Sequence, residues 1–248
     1  MKKKNNLKVL ILAGGYGTRL DNMTKLIPKP LVKIDKYPIL LHVMKVYLNF
    51  GIRKFYIALG YKGEKIIEYF FKKNFKKELK KKVIKIEYVI NGKKCEITLI
   101  KTGIKTMTGG RLLKASKYIE DENFLFTYGD GLSDVNIDKI VNLHLKKKKL
   151  ITMTIVNPPA RFGLVKFNGN LASEFKEKNK IMNAWINGGF FMVNKKFVKY
   201  IKNYKTILEE TPLEMACKKK ELVVYKHRGF WQCMDTKRDL TILKKIIK

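Results

Sequence analysis

The sequence predicts an α/β fold with a mostly parallel central sheet flanked by helices. Two observations carry this reading. Short apolar, β-branched segments alternate with longer amphipathic ones, as βαβ units require, and the first such segment ends on a cluster of glycines. The first strand is read over 8–12, before the glycines. A helix follows over 39–49, opened after Pro38 and stopped by Gly51. A second strand is read at 55–59 and a helix at 64–71. Strands at 83–88 and 97–101 flank an Asn91-Gly92 hairpin turn. A helix at 110–118, a buried strand at 124–127 and a helix at 137–147 complete the first part. Strands are then expected at 150–156, 164–167, 171–175 and 186–193. Helices at 195–200 and 208–218, a strand at 222–225 and a closing helix at 236–247 end the chain. No repeat and no low-complexity linker interrupts this, so a single domain over 1–248 is expected, its two halves meeting near residue 150.

Composition excludes several classes. The 248 residues are 46% hydrophobic, enough for a full core, yet charges break every apolar run well short of a bilayer span. The basic start leads only to the short run Val9-Leu10-Ile11-Leu12, which is no signal-peptide core, so a cytoplasmic protein is expected. Cys95, Cys217 and Cys233 are odd in number and widely spaced, which offers neither a disulfide framework nor a zinc knuckle. The net charge of +33 resembles a nucleic-acid signature, but only six of the 54 basic residues are arginines and the lysines spread along the whole chain. Solvated helix faces explain them, with no specific nucleic-acid partner. The charge still raises the encounter rate with any anionic substrate.

The strongest local signal is Leu12-Ala13-Gly14-Gly15-Tyr16-Gly17-Thr18-Arg19-Leu20. Three glycines in four residues let the backbone approach a ligand and turn amides toward it. Thr18 adds a hydroxyl, and Arg19 a guanidinium suited to phosphate oxygens. A plain tight turn is the alternative. A Walker loop is excluded because Gly17-Thr18-Arg19 lacks its Gly-Lys, and a dinucleotide fingerprint because Leu20 stands where its last glycine belongs. Further on, Pro28-Lys29-Pro30 holds a lysine on a stiff segment, so less entropy is lost when it meets a phosphate.

The pairing of this glycine turn with Pro28-Lys29-Pro30 resembles the signature of the sugar-phosphate nucleotidyltransferases. Thr106-Met107-Thr108-Gly109-Gly110-Arg111-Leu112 looks like the corresponding segment of the cytidylyltransferases in that family. The stretches 124–131, 158–163, 186–191 and 229–236 are similar to the same branch, so the likeness covers nearly the whole chain. It implies a Rossmann-like nucleotidyltransferase fold with a smaller substrate-binding lobe. The nucleotide would sit in the first half and the sugar phosphate in the second. The implied reaction joins CTP to a sugar 1-phosphate, glucose 1-phosphate in the first place, and releases pyrophosphate. Another nucleotide or acceptor, or a regulatory homologue that binds without turnover, stays as the alternative. A homo-oligomer, a hexamer by resemblance, and a role in polysaccharide synthesis are further implications.

Site residues follow from the residues and the resemblance together. The nucleotide is expected against Leu12, Ala13, Gly14, Gly15, Gly17, Thr18, Arg19, Lys29, Thr108, Gly109, Arg111 and Gly129. Asp130 closes a buried strand, where ligands of open α/β sheets bind, and is placed to hold Mg²⁺ against phosphate oxygens. The resemblance makes Asp235 its partner, although an aspartate there could equally cap the closing helix. Asp134 reads as a cap or turn residue before Ile137. The resemblance casts Lys178 as the contact to the sugar phosphate, with Arg19 and Lys29 as the other catalytic cations. Asn179 and Cys233 stand where that family has proline. Glu174, Asn187 and Gly188 are candidates for the sugar. His42 and His144 are expected to be structural, as is His227 despite its place near the sugar segment.

Overall fold

The computed structural model describes residues 6–20, 22–158, 164–176 and 184–247. β1 (Lys8–Ala13) leads through the glycine turn and a 3-10 turn (Thr18–Leu20) to α1 (Asn22–Leu26). A second 3-10 turn (Lys29–Leu31) and the small hairpin β2 (Lys33–Ile34) and β3 (Tyr37–Pro38) precede α2 (Ile39–Leu48). β4 (Lys54–Leu59), α3 (Gly63–Phe71) and α4 (Phe75–Glu78) come next, followed by the hairpin β5 (Val83–Ile90) and β6 (Lys93–Lys101). Then come α5 (Thr108–Ser116), β7 (Asn123–Tyr128), β8 (Gly131–Ser133), α6 (Ile137–Lys147) and β9 (Ile151–Val156). A separate hairpin, β10 (Leu164–Asn168) and β11 (Leu171–Lys176), precedes β12 (Ile186–Asn194). The chain closes with α7 (Thr211–Lys218), β13 (Leu222–His227), β14 (Trp231–Cys233) and α8 (Lys237–Ile246).

Eight strands form one sheet in the order β13-β9-β12-β7-β1-β4-β6-β5. The centre, β7-β1-β4-β6, is parallel throughout, and antiparallel ladders enter at β12 and at the edge strand β5. Strands from both sequence halves share this sheet. Side chains alternate along β1 as the strand period demands. Val9, Ile11 and Ala13 pack with α2, α3, α6 and α8 on one face, while Leu10 and Leu12 pack with α5 and α7 on the other. Because the central strands run parallel, their carboxyl ends gather on one edge of the sheet.

Several elements differ from the sequence reading for identifiable reasons. The segment expected as helical over 195–200 keeps those bounds as a 3-10 helix, begun where the Asn194 side chain accepts from the Lys196 amide. The helix expected over 208–218 starts only at Thr211, with Pro212 in its first turn, and leaves 208–210 as a loop. Asn91 and Gly92 both take positive φ, as expected of a two-residue hairpin turn. Asp134 is not a helix cap. Asn136 caps α6 by accepting from the Lys139 amide, and Asp134 pairs with His227 at 2.8 Å.

Candidate active site

The glycine turn is built around a side chain. Tyr61 N–H donates to Gly14 O across the ends of β1 and β4. The Arg111 guanidinium lies beneath, donating to Gly14 O (2.9 Å), Leu59 O (3.1 Å), the Thr102 hydroxyl (2.6 Å), Gly103 O (3.0 Å) and Ile104 O (3.2 Å). A Cβ at Gly14 or Gly60 would fall 2.5 Å or less from that guanidinium, so both positions need glycine. Burial lowers the Arg111 pKa to about 10. Arg111 thus braces the loops after β1, β4 and β6, beyond the ligand contact expected from sequence. The Gly109 α-carbon packs against the Thr206 carbonyl, where a Cβ would sit at 2.8 Å, and among the described residues it does not line either of the two cavities at the site.

Lys29 lies in the 3-10 turn between two prolines, its side chain only 12% exposed. Its Nζ donates to Asp130 Oδ2 and to Asp235 Oδ1, both at 2.6 Å. Burial alone would lower the lysine pKa, and the two carboxylates outweigh it and raise the value above its ordinary position. The carboxylates, 105 positions apart in sequence, are brought together by a short antiparallel ribbon. β8 pairs with β14, Gly131 opposite Cys233, and the Met234 amide donates to Asp130 O just beyond.

Asp235 is available for this cluster because the helix cap is made elsewhere. Thr236 caps α8, and Asp239 accepts from the amides of Asp235 and Thr236 in a capping box. The alternative role of Asp235 as the cap is thereby removed. Two hard oxygen donors facing one point suit Mg²⁺, which takes one or two protein carboxylates and fills its shell with phosphate and water. Among the described residues no group of three or more His, Cys, Asp or Glu could hold a metal. Cys233 Sγ sits 3.6 Å from Asp235 Oδ2, and burial together with the nearby carboxylates pushes its thiol up to about 12, so it is no nucleophile.

Two cavities meet at this cluster. The first, about 350 Å³, is lined by Leu12, Ala13, Gly14, Gly15, Gly17, Thr18, Lys29, Thr108, Arg111, Gly129, Asp130 and Asp235, with Tyr16, Pro30, Thr106, Met107 and Tyr128. The second, about 630 Å³, includes Asn187, Gly188, Gly189, Glu209, Trp231 and Cys233 on its wall. Thr108, Tyr128, Asp130 and Asp235 line both. In the second cavity β12 breaks register between Asn187 and Phe191. Gly189 there has φ +79°, and its missing Cβ leaves room for the Tyr128 ring. Trp231 Nε1 donates to Gly188 O and the Thr127 hydroxyl to Gly189 O, which pins the bulge.

Arg19 lies in the 3-10 turn after the glycines. Lys178, Asn179 and most of the 158–163 stretch lie outside the described residues. Glu174 is opposite Lys166 in the separate β10–β11 hairpin and is not among the described residues lining either cavity. His144 is buried between Thr152 and Asn123, and burial lowers its pKa to about 4. His42 faces Ile34 O, and His227 reaches Phe230 O as well as Asp134. Sequence reasoning missed Glu209, Tyr128 and Trp231 as cavity residues. Each gains its place through partners 43 to 101 positions away, and no local motif announces that.

Comparison with known proteins gives the class. Residues 8–240 match the Nucleotidyl transferase family model, and the chain belongs to that family. Within it, the chain is 41% identical over 245 residues to the glucose-1-phosphate cytidylyltransferase of Salmonella typhimurium, covering 96% of this chain and 95% of that protein. It is 39% identical over 244 residues to the probable glucose-1-phosphate cytidylyltransferase of Bacillus subtilis, covering 97% and 96%. The crystal structure of HddC from Yersinia pseudotuberculosis shares the fold, with a TM-score of 0.72 at 24% identity over 98% of this chain and 100% of that one. No helix among the described residues is long and apolar enough to cross a membrane.

Proposed function

We propose that the protein joins CTP to glucose 1-phosphate, forming CDP-glucose and pyrophosphate in an Mg²⁺-dependent reaction. The observation that carries the chemistry is the Lys29–Asp130–Asp235 cluster on the border of the two cavities. The choice of nucleotide and sugar rests on the two relatives of about 40% identity over nearly the full chain.

An oxygen of the sugar phosphate attacks the α-phosphorus of CTP. A new P–O bond forms as the bond to the bridging oxygen of the β-phosphate breaks, and pyrophosphate leaves with that electron pair. The phosphate monoester is already a nucleophile near neutral pH, so no general base is required. Catalysis then rests on alignment and charge. Asp130 and Asp235 would hold Mg²⁺, whose positive charge would offset that of the triphosphate. Lys29 offers a second positive charge at the same point. Amides of Gly14, Gly15 and Gly17 and the Thr18 hydroxyl would receive the triphosphate, with Arg19 beside them. Arg111 keeps the turn in shape, and Lys178 would orient the incoming phosphate. The nucleotide half of the chain would run to about residue 150, with most of the acceptor wall beyond it.

Pyrophosphate release from glucose 1-phosphate with each of CTP, UTP, ATP, GTP and dTTP tests this. CTP should be the fastest, and equal or faster release with dTTP or UTP would overturn the cytidylyl assignment.

A further inference from the structure

The two cavities share a wall, and one carboxylate organises it. Glu209, on the loop before α7, accepts the Thr108 hydroxyl at 2.6 Å through one oxygen and the Tyr128 hydroxyl through the other. Both partners belong to the residues common to the two cavities, whereas Glu209 itself lines only the second. A carboxylate is acceptor-only, so each hydroxyl commits its single proton to Glu209 and can only accept elsewhere. Both do so. Thr108 Oγ1 accepts from the Leu208 amide at 2.9 Å, and the Tyr128 oxygen accepts from Asn187 Nδ2 at 3.4 Å. Asn187 Oδ1 in turn accepts from the Gly189 amide at 2.8 Å.

Glu209 therefore directs the two hydroxyl protons of this chain, while the backbone amides of Leu208 and Gly189 fix its outer bonds. Asn187 is left with one N–H and one lone pair to offer the second cavity.

Resting on the reaction proposed above, we infer that Glu209 is a positioning residue for the sugar phosphate, acting through Tyr128 to orient the Asn187 amide. The rival explanation is charge alone, and it has the opposite sign. Removing a negative charge from a cavity that receives a phosphate dianion should improve acceptor binding. Losing the hydrogen-bond direction should weaken it.

The test compares wild type, Glu209→Gln, Tyr128→Phe and the double variant, with KM measured for glucose 1-phosphate and for CTP. In Glu209→Gln the amide offers one acceptor where the carboxylate offered two, so one of the two hydroxyls loses the partner for its proton. The acceptor KM should rise about fivefold to tenfold, the worth of roughly one hydrogen bond, with the CTP KM within about twofold. Tyr128→Phe should raise the acceptor KM similarly, and the double variant should be no worse than the poorer single one, because both break the same chain. Glu209→Asp keeps the charge but is one methylene too short to hold both hydroxyls, so it should resemble Glu209→Gln. A lowered or unchanged acceptor KM in Glu209→Gln, or multiplied effects in the double variant, would overturn the role of Glu209 while leaving the reaction intact. Absence of wild-type turnover would overturn the proposed reaction and this role with it.

Discussion

The Lys29 cluster makes an asymmetric stability prediction. One ammonium faces two carboxylates, each at 2.6 Å, so the group carries a net charge of about −1. Replacing Lys29 with Met leaves −2 in a confined space, whereas Asp130→Asn or Asp235→Asn brings it to zero. Breaking a buried ion pair costs about 3–5 kcal/mol. The aspartate side chains keep 30% and 23% of their surface, which screens part of that, so about 2–3 kcal/mol is expected for Lys29→Met. For a chain of this length that corresponds to a fall in Tm of roughly 4–12 °C. Either aspartate variant should lose at most about 1 kcal/mol. Thermal melts in EDTA, then with Mg²⁺ added, provide the assay. Mg²⁺ should raise the Tm of Lys29→Met by more than that of wild type, because the Lys29 ammonium no longer competes for the two carboxylates, and should do little for either Asn variant. Equal losses in all three variants, or an Mg²⁺ shift that survives in Asp130→Asn and Asp235→Asn, would refute the reasoning.

Two further predictions concern the scaffold. Arg111→Lys replaces a planar fork serving five acceptors with a point charge, so it should cost about 1–3 kcal/mol in urea unfolding and weaken nucleotide binding, and near wild-type values of both would count against the brace. His144, at about 4 folded against 6.5 unfolded, binds its proton first in the unfolded chain, so its contribution is full above pH 6.5 and is lost as pH falls toward 4, by on the order of 3 kcal/mol. In His144→Gln the difference from wild type should therefore change across that interval in urea titrations at pH 7, 5.5 and 4, and a constant difference would show that His144 does not titrate there.

Much of the fold was legible because its signals are local. The short apolar run of β1, the Asn91-Gly92 turn and the Gly51 stop each act within a few residues, and the observed elements follow them. The glycine turn and Pro28-Lys29-Pro30 were legible for the same reason. What the local pattern does not contain is convergence. The β8–β14 ribbon that joins Asp130 to Asp235 has three residues per strand, too few to show a period. Glu209 fell within an expected helix, and only the late start at Thr211 leaves it on a loop facing Thr108 and Tyr128. Arg111 has the right type for a phosphate contact, and nothing within its own segment shows that the carbonyls of Gly14 and Leu59 lie against it.

The most direct measurement of the central claim is pyrophosphate release from CTP and glucose 1-phosphate by wild type, Asp130→Asn and Asp235→Asn, each across a range of Mg²⁺. Wild type should turn over with a clear Mg²⁺ requirement. Each variant should fall by about 10²–10³ and need more Mg²⁺, since one electrostatic contact to the reacting phosphates is lost. Near wild-type turnover and Mg²⁺ dependence in both variants would contradict the assignment of Asp130 and Asp235 to the reacting centre.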